Sequence, residues 1–212
     1  MSHPVLLLAT TNRGKFGEFG ALLQELPLRV RSLAGMPGVP AVAEDGTTYA
    51  GNALRKALTI AWWSGCAALA DDSGLEVDAL GGAPGVQSAR YAGGEQDGHA
   101  NVRKLLAALN DAPAAERTAR FRCALVVATP DGETLTVEGS CEGYILETPR
   151  GSGGFGYDPV FFYPPLGATF AEITAAVKNG VSHRAHACAR LRQDLMGFLS
   201  TYAGACRGCR FD

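Results

Sequence analysis

No apolar run in this chain approaches the roughly 20 residues needed to cross a bilayer as a helix. The longest, "PVLLLA" and "CALVVA", are far shorter. No basic segment leads into a signal-type apolar stretch at the N-terminus, so a cytoplasmic protein with no membrane partner is expected. A strong net charge is missing as well. Nineteen basic against twenty-one acidic residues give −2, too weak a field to hold nucleic acid or an acidic membrane, and any anionic ligand must be held locally. The six cysteines, at 66, 123, 141, 188, 206 and 209, form no framework. Cys206 and Cys209 make one C-x-x-C, with no second pair to complete a four-ligand zinc site, so reduced thiols are expected. No Ser-His-Asp or Cys-His arrangement, phosphate loop of the G-x-x-x-x-G-K-[ST] type, internal repeat or low-complexity linker is found.

What is present is enough apolar sequence for a substantial core: 47% of 212 residues are hydrophobic and 19% charged. One domain, or two lobes sharing a sheet, follows from that length. "VLLLA" (5–9) reads as a buried strand. Thr10, Thr11 and Asn12 then offer caps to a helix marked by Phe16, Phe19, Leu23 and Leu26 and stopped by Pro27. Residues 47–63 place Leu54, Ala57, Leu58 and Ala61 at helical spacing despite Gly51. "AALA" (67–70) reads as a strand ending in "DDSG", residues 81–94 as a loop, and 97–109 as a helix. The stretch from "ARFRCALVVA" to "GYILET" predicts two strands about an Asp-Gly turn and then a further strand. Cys188, Leu191, Leu195, Phe198 and Tyr202 mark a long helix capped by Ser182. The expected fold is α/β, a mixed central sheet flanked by helices, in two lobes with the active-site cleft between them.

Four stretches carry chemistry. "ATTNRGK" (9–15) joins a strand to a helix whose free N–H groups favour an anion, with Lys15 as a point charge. Asp71 and Asp72 stand together in "ALADDSGLEV", and two adjacent carboxylates need a cation or donors if they are buried. Magnesium, which takes one or two carboxylates along with phosphate oxygens, would satisfy them, with Glu44 of "AVAEDG" as a second acid. "KNGVSHRAHA" sets Lys178, His183 and Arg184 as donors around a helix start, suited to keto or phosphate oxygens. "GSGGFGYDPVF" (151–161) puts four glycines around Phe155, Tyr157 and Asp158. Glycine of this density permits positive φ and close approach.

"ATTNRGK", "AEDGTTYAGNALRKA", "ADDSGLEVDALGGAPGVQSARYAG", "GGFGYDPVF" and "SHRAHA", in this order, resemble the inosine/xanthosine triphosphate pyrophosphatase family from about residue 5 to about residue 200. The resemblance implies a single domain (1–203) followed by a tail (204–212), a homodimer, and magnesium-dependent hydrolysis of ITP, dITP and XTP to the monophosphate and pyrophosphate. It implies that Thr10, Asn12 and Lys15 hold the phosphates, with Lys56 close by. Asp72 matches the general base and metal ligand, Glu44 the second metal-site acid, and Ser73 a substrate contact. Phe155, Gly156, Tyr157, Asp158, Lys178, His183 and Arg184 match nucleoside-binding positions. The acidic segment departs from the pattern, reading "AEDGTTY" where the family commonly has Glu-Thr-Gly. Two other functions fit parts of the pattern: a pyrophosphatase for pyrimidine or methylated nucleotides, and a non-catalytic nucleotide-binding protein.

Overall fold

The structure is a computed structural model that describes residues 3–93 and 97–202. Its first strand, β1 (Val5–Leu8), is buried at every residue. Asn12 caps α1 (Arg13–Leu23), β2 (Arg29–Ser32) returns beside β1, and Thr48 caps α2 (Tyr49–Ser64), which ends at the left-handed Gly65. There follow β3 (Ala67–Val77), α3 (Gly98–Ala108), β4 (Thr118–Ala128), β5 (Thr134–Ile145), β6 (Phe161–Tyr163), β7 (Ala168–Thr169), α4 (Ala175–Val181) and α5 (His183–Tyr202). Among the described residues seven strands form one sheet in the order β2-β1-β3-β4-β5-β6-β7. β1 runs parallel to both β2 and β3, while β5, β6 and β7 pair antiparallel, so the sheet is mixed.

The chain divides into two compact units. The first holds the described residues up to Asp72, Cys123–Gly139 and those from Arg184 onward; the second holds Ser73–Arg122 and Ser140–His183. Strands β3, β4 and β5 each contribute residues to both. In the first unit, strand alternation sends side chains to two faces. Leu6 and Leu8 of β1 and Ala67 and Leu69 of β3 meet Phe19 and Leu23 of α1 and Cys188, Leu191, Leu195 and Leu199 of α5. Val5 and Leu7, with Ala68 and Ala70, turn the other way onto Ala53, Ala57, Ile60 and Ala61 of α2. The second unit closes around Leu75, Leu105, Phe121, Tyr157, Phe161 and Phe170.

Several elements differ from expectation. β3 does not end at "DDSG" but runs through it to Val77, because the two aspartates are compensated by side chains from other elements. Residues 81–94 include a 3-10 helix, Gly85–Arg90, stabilised by the buried Ser88 hydroxyl, which donates to the Gly85 carbonyl at 2.6 Å. The further strand after the Asp-Gly turn is the continuation of β5, whose exposed–buried alternation persists to Ile145. Ser182 ends α4, a helix not anticipated, and α5 starts at His183. Cys123, Cys141 and Cys188 are free and buried, but Cys66 is disulfide-bonded, against the expectation of reduced thiols throughout. The 204–212 tail, with Cys206 and Cys209, lies outside the described residues. No helix is long and apolar enough to cross a membrane among the described residues.

Candidate active site

The turn from β1 to α1 builds a helix N-terminus from short-range hydrogen bonds. The Thr10 hydroxyl accepts from the Asn12 amide at 3.2 Å, and Asn12 Oδ1 accepts from the Lys15 amide at 3.1 Å. This fixes the first turn, where backbone N–H groups and the helix dipole favour negative charge. Lys15 reaches from that turn to the next strand but one, its Nζ 2.7 Å from Asp71 Oδ2.

Asp71 and Asp72 are both buried, and the pleat of β3 sends consecutive side chains to opposite faces. Asp71 therefore meets the α1 and α5 side. Besides Lys15 it has the Arg184 Nε at 3.7 Å, and Arg184 also pairs with Glu18 of α1 at 2.9 Å. Burial alone would raise the Asp71 carboxyl, yet Lys15, Arg184 and Lys56 together hold it well below the usual aspartate range. Asp72 meets the α2 side, where the Asn52 amide donates to its Oδ2 at 2.9 Å. Burial raises the Asp72 carboxyl above its ordinary value; Lys56, Asn52 and Lys15 oppose the rise, and the Glu44 charge adds to it. The adjacent carboxylates thus occupy different electrostatic settings.

Helix α2 supplies two inward polar side chains four residues apart, Asn52 and Lys56, on the same face as its buried alanines. Lys56 Nζ lies 3.1 Å from Glu44 Oε1 and donates to the Asp71 carbonyl. The neighbouring acid, Asp45, is exposed and pairs instead with the exposed Arg55, so it is Glu44 that faces this cluster. Ser73, next along β3, is half-buried and begins the second unit.

In the second unit the glycine-rich stretch folds onto its own aspartate. Asp158, 2% exposed, accepts from the Phe155 amide at 2.8 Å and from Lys178 Nζ at 2.6 Å, both on Oδ2. Lys178 in turn lies 4.7 Å from the Phe155 ring centre and 5.6 Å from that of Phe170. His183 stacks on Phe121 at 4.7 Å, and Phe121 stacks on Phe170 at 5.9 Å. Tyr157 points into the core, where its hydroxyl donates to the Ser88 carbonyl at 2.8 Å. Gly154, at φ +69°, has an internal reason to be glycine: a Cβ there would stand 2.1 Å from Asp158 Oδ2. Gly156, at φ +62°, has open space at its Cβ position.

Among the expected residues the first unit brings together Lys15, Glu44, Lys56, Asp72 and Arg184, and the second brings together Phe155, Asp158 and Lys178. Three members of the first cluster were not singled out for it from sequence: Asn52, Glu18, and Asp71 as the partner of Lys15. Asn52 carried a readable signal, a polar residue on the buried face of α2. Glu18 and Arg184 are 166 residues apart, and no local pattern connects them.

A model of the Ham1 family matches residues 6–194. The chain belongs to the Ham1 family. A dITP/XTP pyrophosphatase from Syntrophobacter fumaroxidans is 52% identical over 194 residues, 92% of this chain and 83% of that protein. Another from Desulforamulus reducens is 53% identical over 182 residues, 86% of this chain and 90% of that protein. A HAM1 protein structure from Coxiella burnetii aligns with a TM-score of 0.83 at 38% identity, covering 92% of this chain and 99% of that one. The mixed α/β sheet described above is thus the architecture of a solved Ham1 protein, and the motif resemblance read from the sequence leads to the same family.

Proposed function

We propose that this protein hydrolyses the nonstandard purine nucleoside triphosphates ITP, dITP and XTP to the monophosphate and pyrophosphate, clearing them from the cytoplasmic nucleotide pool. The observation that carries the reading is the first-unit cluster. A helix N-terminus whose Lys15 pairs with Asp71, and Lys56, which pairs with Glu44, share the unit with Asp72, a buried carboxylate that feels the charge of both lysines and whose affinity for a proton is raised. Thr10, Asn12, Lys15 and Lys56 hold the triphosphate, and the lysines stabilise negative charge as it collects on the leaving pyrophosphate. Asp72 orients a water molecule and takes its proton as the new bond to the α-phosphorus forms. A carboxylate with a raised pKa suits that role better than its strongly acidic neighbour, Asp71.

The donor set fits magnesium. The Glu44 charge adds to the cost of ionising Asp72, which a cation relieves. The described residues form no cluster of three or more acidic, His or Cys ligands, whereas magnesium needs only one or two carboxylates when phosphate oxygens and water supply the rest. Held there, magnesium would neutralise charge on the triphosphate. Ser73, Phe155, Gly156, Tyr157, Asp158, Lys178, His183 and Arg184 serve the nucleoside, Tyr157 by fixing the loop from the core side. A homodimer is the proposed assembly.

The test is product analysis with ITP and magnesium. IMP and pyrophosphate in equal amounts, in one step, are expected; stepwise release of orthophosphate would overturn the proposal, and faster cleavage of UTP or dTTP than of ITP and XTP would move the substrate class to pyrimidines. Asp72→Asn should keep its fold and lose about 100-fold or more in kcat.

A further inference from the structure

Asn52 is 1% exposed, and both ends of its amide are used. Its Nδ2 donates to Asp72 Oδ2 at 2.9 Å, and its Oδ1 accepts from the Gly46 amide at 2.9 Å. Gly46 lies two residues past Glu44, on the segment that leads into α2. A Cβ at Gly46 would stand 2.5 Å from Asn52 Oδ1, so the backbone approaches this amide as closely as it can only because residue 46 has no side chain. On the same helix face, Lys56 grips Glu44 itself at 3.1 Å.

We propose that Asn52 is the positioning residue that holds the Asp72 carboxylate and the Glu44 segment as one preformed divalent-cation site. The proposal rests on the reading of Asp72 and Glu44 as the metal-site acids. Two carboxylates supplied by separate segments, one on a strand and one on a stretch without regular structure, repel each other. Without a tether the carboxylate on the irregular stretch would relax away, and each cation would have to bring it back. A neutral amide is suited to the task, since it donates to one partner and accepts from the other without adding a charge that would compete with the cation. Groups that orient metal-ligating carboxylates without touching the metal commonly contribute 10- to 100-fold to affinity.

The experiment measures Mn2+ binding by the full-length protein without nucleotide, from the electron paramagnetic resonance signal of free Mn2+, beside thermal unfolding. Asn52→Leu keeps the branched heavy-atom skeleton and removes both hydrogen bonds; binding should weaken about tenfold or more. Ser64→Ala is the control for a merely structural effect. Ser64 is buried on the same helix and its hydroxyl donates to the Ile60 carbonyl at 2.7 Å, so its loss should lower Tm and leave Mn2+ binding unchanged. Gly46→Ala disturbs the same contact from the other side, keeps the Asn52 amide, and should weaken binding in the same direction, which preserves a test should Asn52→Leu fail to fold. Wild-type affinity in Asn52→Leu or in Gly46→Ala, or an equal loss in Ser64→Ala, would overturn the role of Asn52. If wild-type protein cleaves ITP and Asn52→Leu binds Mn2+ as tightly as wild type, only the positioning role is refuted. Wild-type protein that neither binds Mn2+ nor cleaves ITP refutes the reading of the site itself.

Discussion

Arg184 holds two carboxylates at once, Glu18 at 2.9 Å and Asp71 at 3.7 Å, while itself only 4% exposed. Its fork is therefore oriented before any ligand arrives, which is the condition for reading a base by hydrogen bonding. Hypoxanthine presents a keto oxygen where adenine presents an amino group, and a donor facing a donor leaves both unpaired. Arg184→Ala should lower kcat/KM for ITP far more than for ATP, narrowing a ratio that such sites can raise to about 10⁴. Equal proportional losses for the two substrates would assign Arg184 to the phosphates or ribose instead. A neighbouring residue yields a prediction of another kind. Burial, with the Asp71 charge nearby, pushes the Cys188 thiol up to about 12. Thiolate is the reactive form, and below that value it is scarce. Iodoacetamide at pH 8.5 should leave Cys188 unmodified in the native protein and label it in guanidinium, as read by peptide mapping.

At the scale of elements, β3 explains what could and could not be read in advance. Its apolar start was legible as a strand, but its passage through Asp71 and Asp72 was not. The compensating groups, Lys15, Arg184 and Asn52, lie far away in sequence, and local hydrophobic pattern carries no sign of them. The same holds for β6 and β7, three and two residues long, too short for any periodicity to show. Helices α1, α2 and α5 were legible because their apolar spacing is local, and Asn12 caps α1 as the sequence implies; the seven-residue α4 offers too few positions for a spacing to show. The glycine-rich stretch was legible as special, though part of its reason is internal. Gly154→Ala should force Asp158 off Lys178 in addition to the roughly 1–2 kcal/mol cost of a left-handed non-glycine residue. Gly156→Ala, at nearly the same φ but with open space, should show the backbone cost alone. Urea unfolding and KM for ITP should both separate the two variants; identical behaviour would mean the Asp158 contact is unimportant.

At the scale of the molecule, three of the seven strands among the described residues belong to both compact units, so neither unit can lose its strands without breaking the other's. Unfolding should accordingly be a single transition, with coincident curves from different probes. The probes are set by a detail of α2. The chain has two tryptophans, Trp62 and Trp63, adjacent on the helix that presents Asn52 and Lys56; the first is 60% exposed and the second packs against the core. Intrinsic fluorescence of this protein is therefore a local signal from one end of one helix in the first unit. A curve followed at 295 nm excitation reports α2 alone, and only its agreement with far-ultraviolet circular dichroism would extend that report to the strands of the second unit.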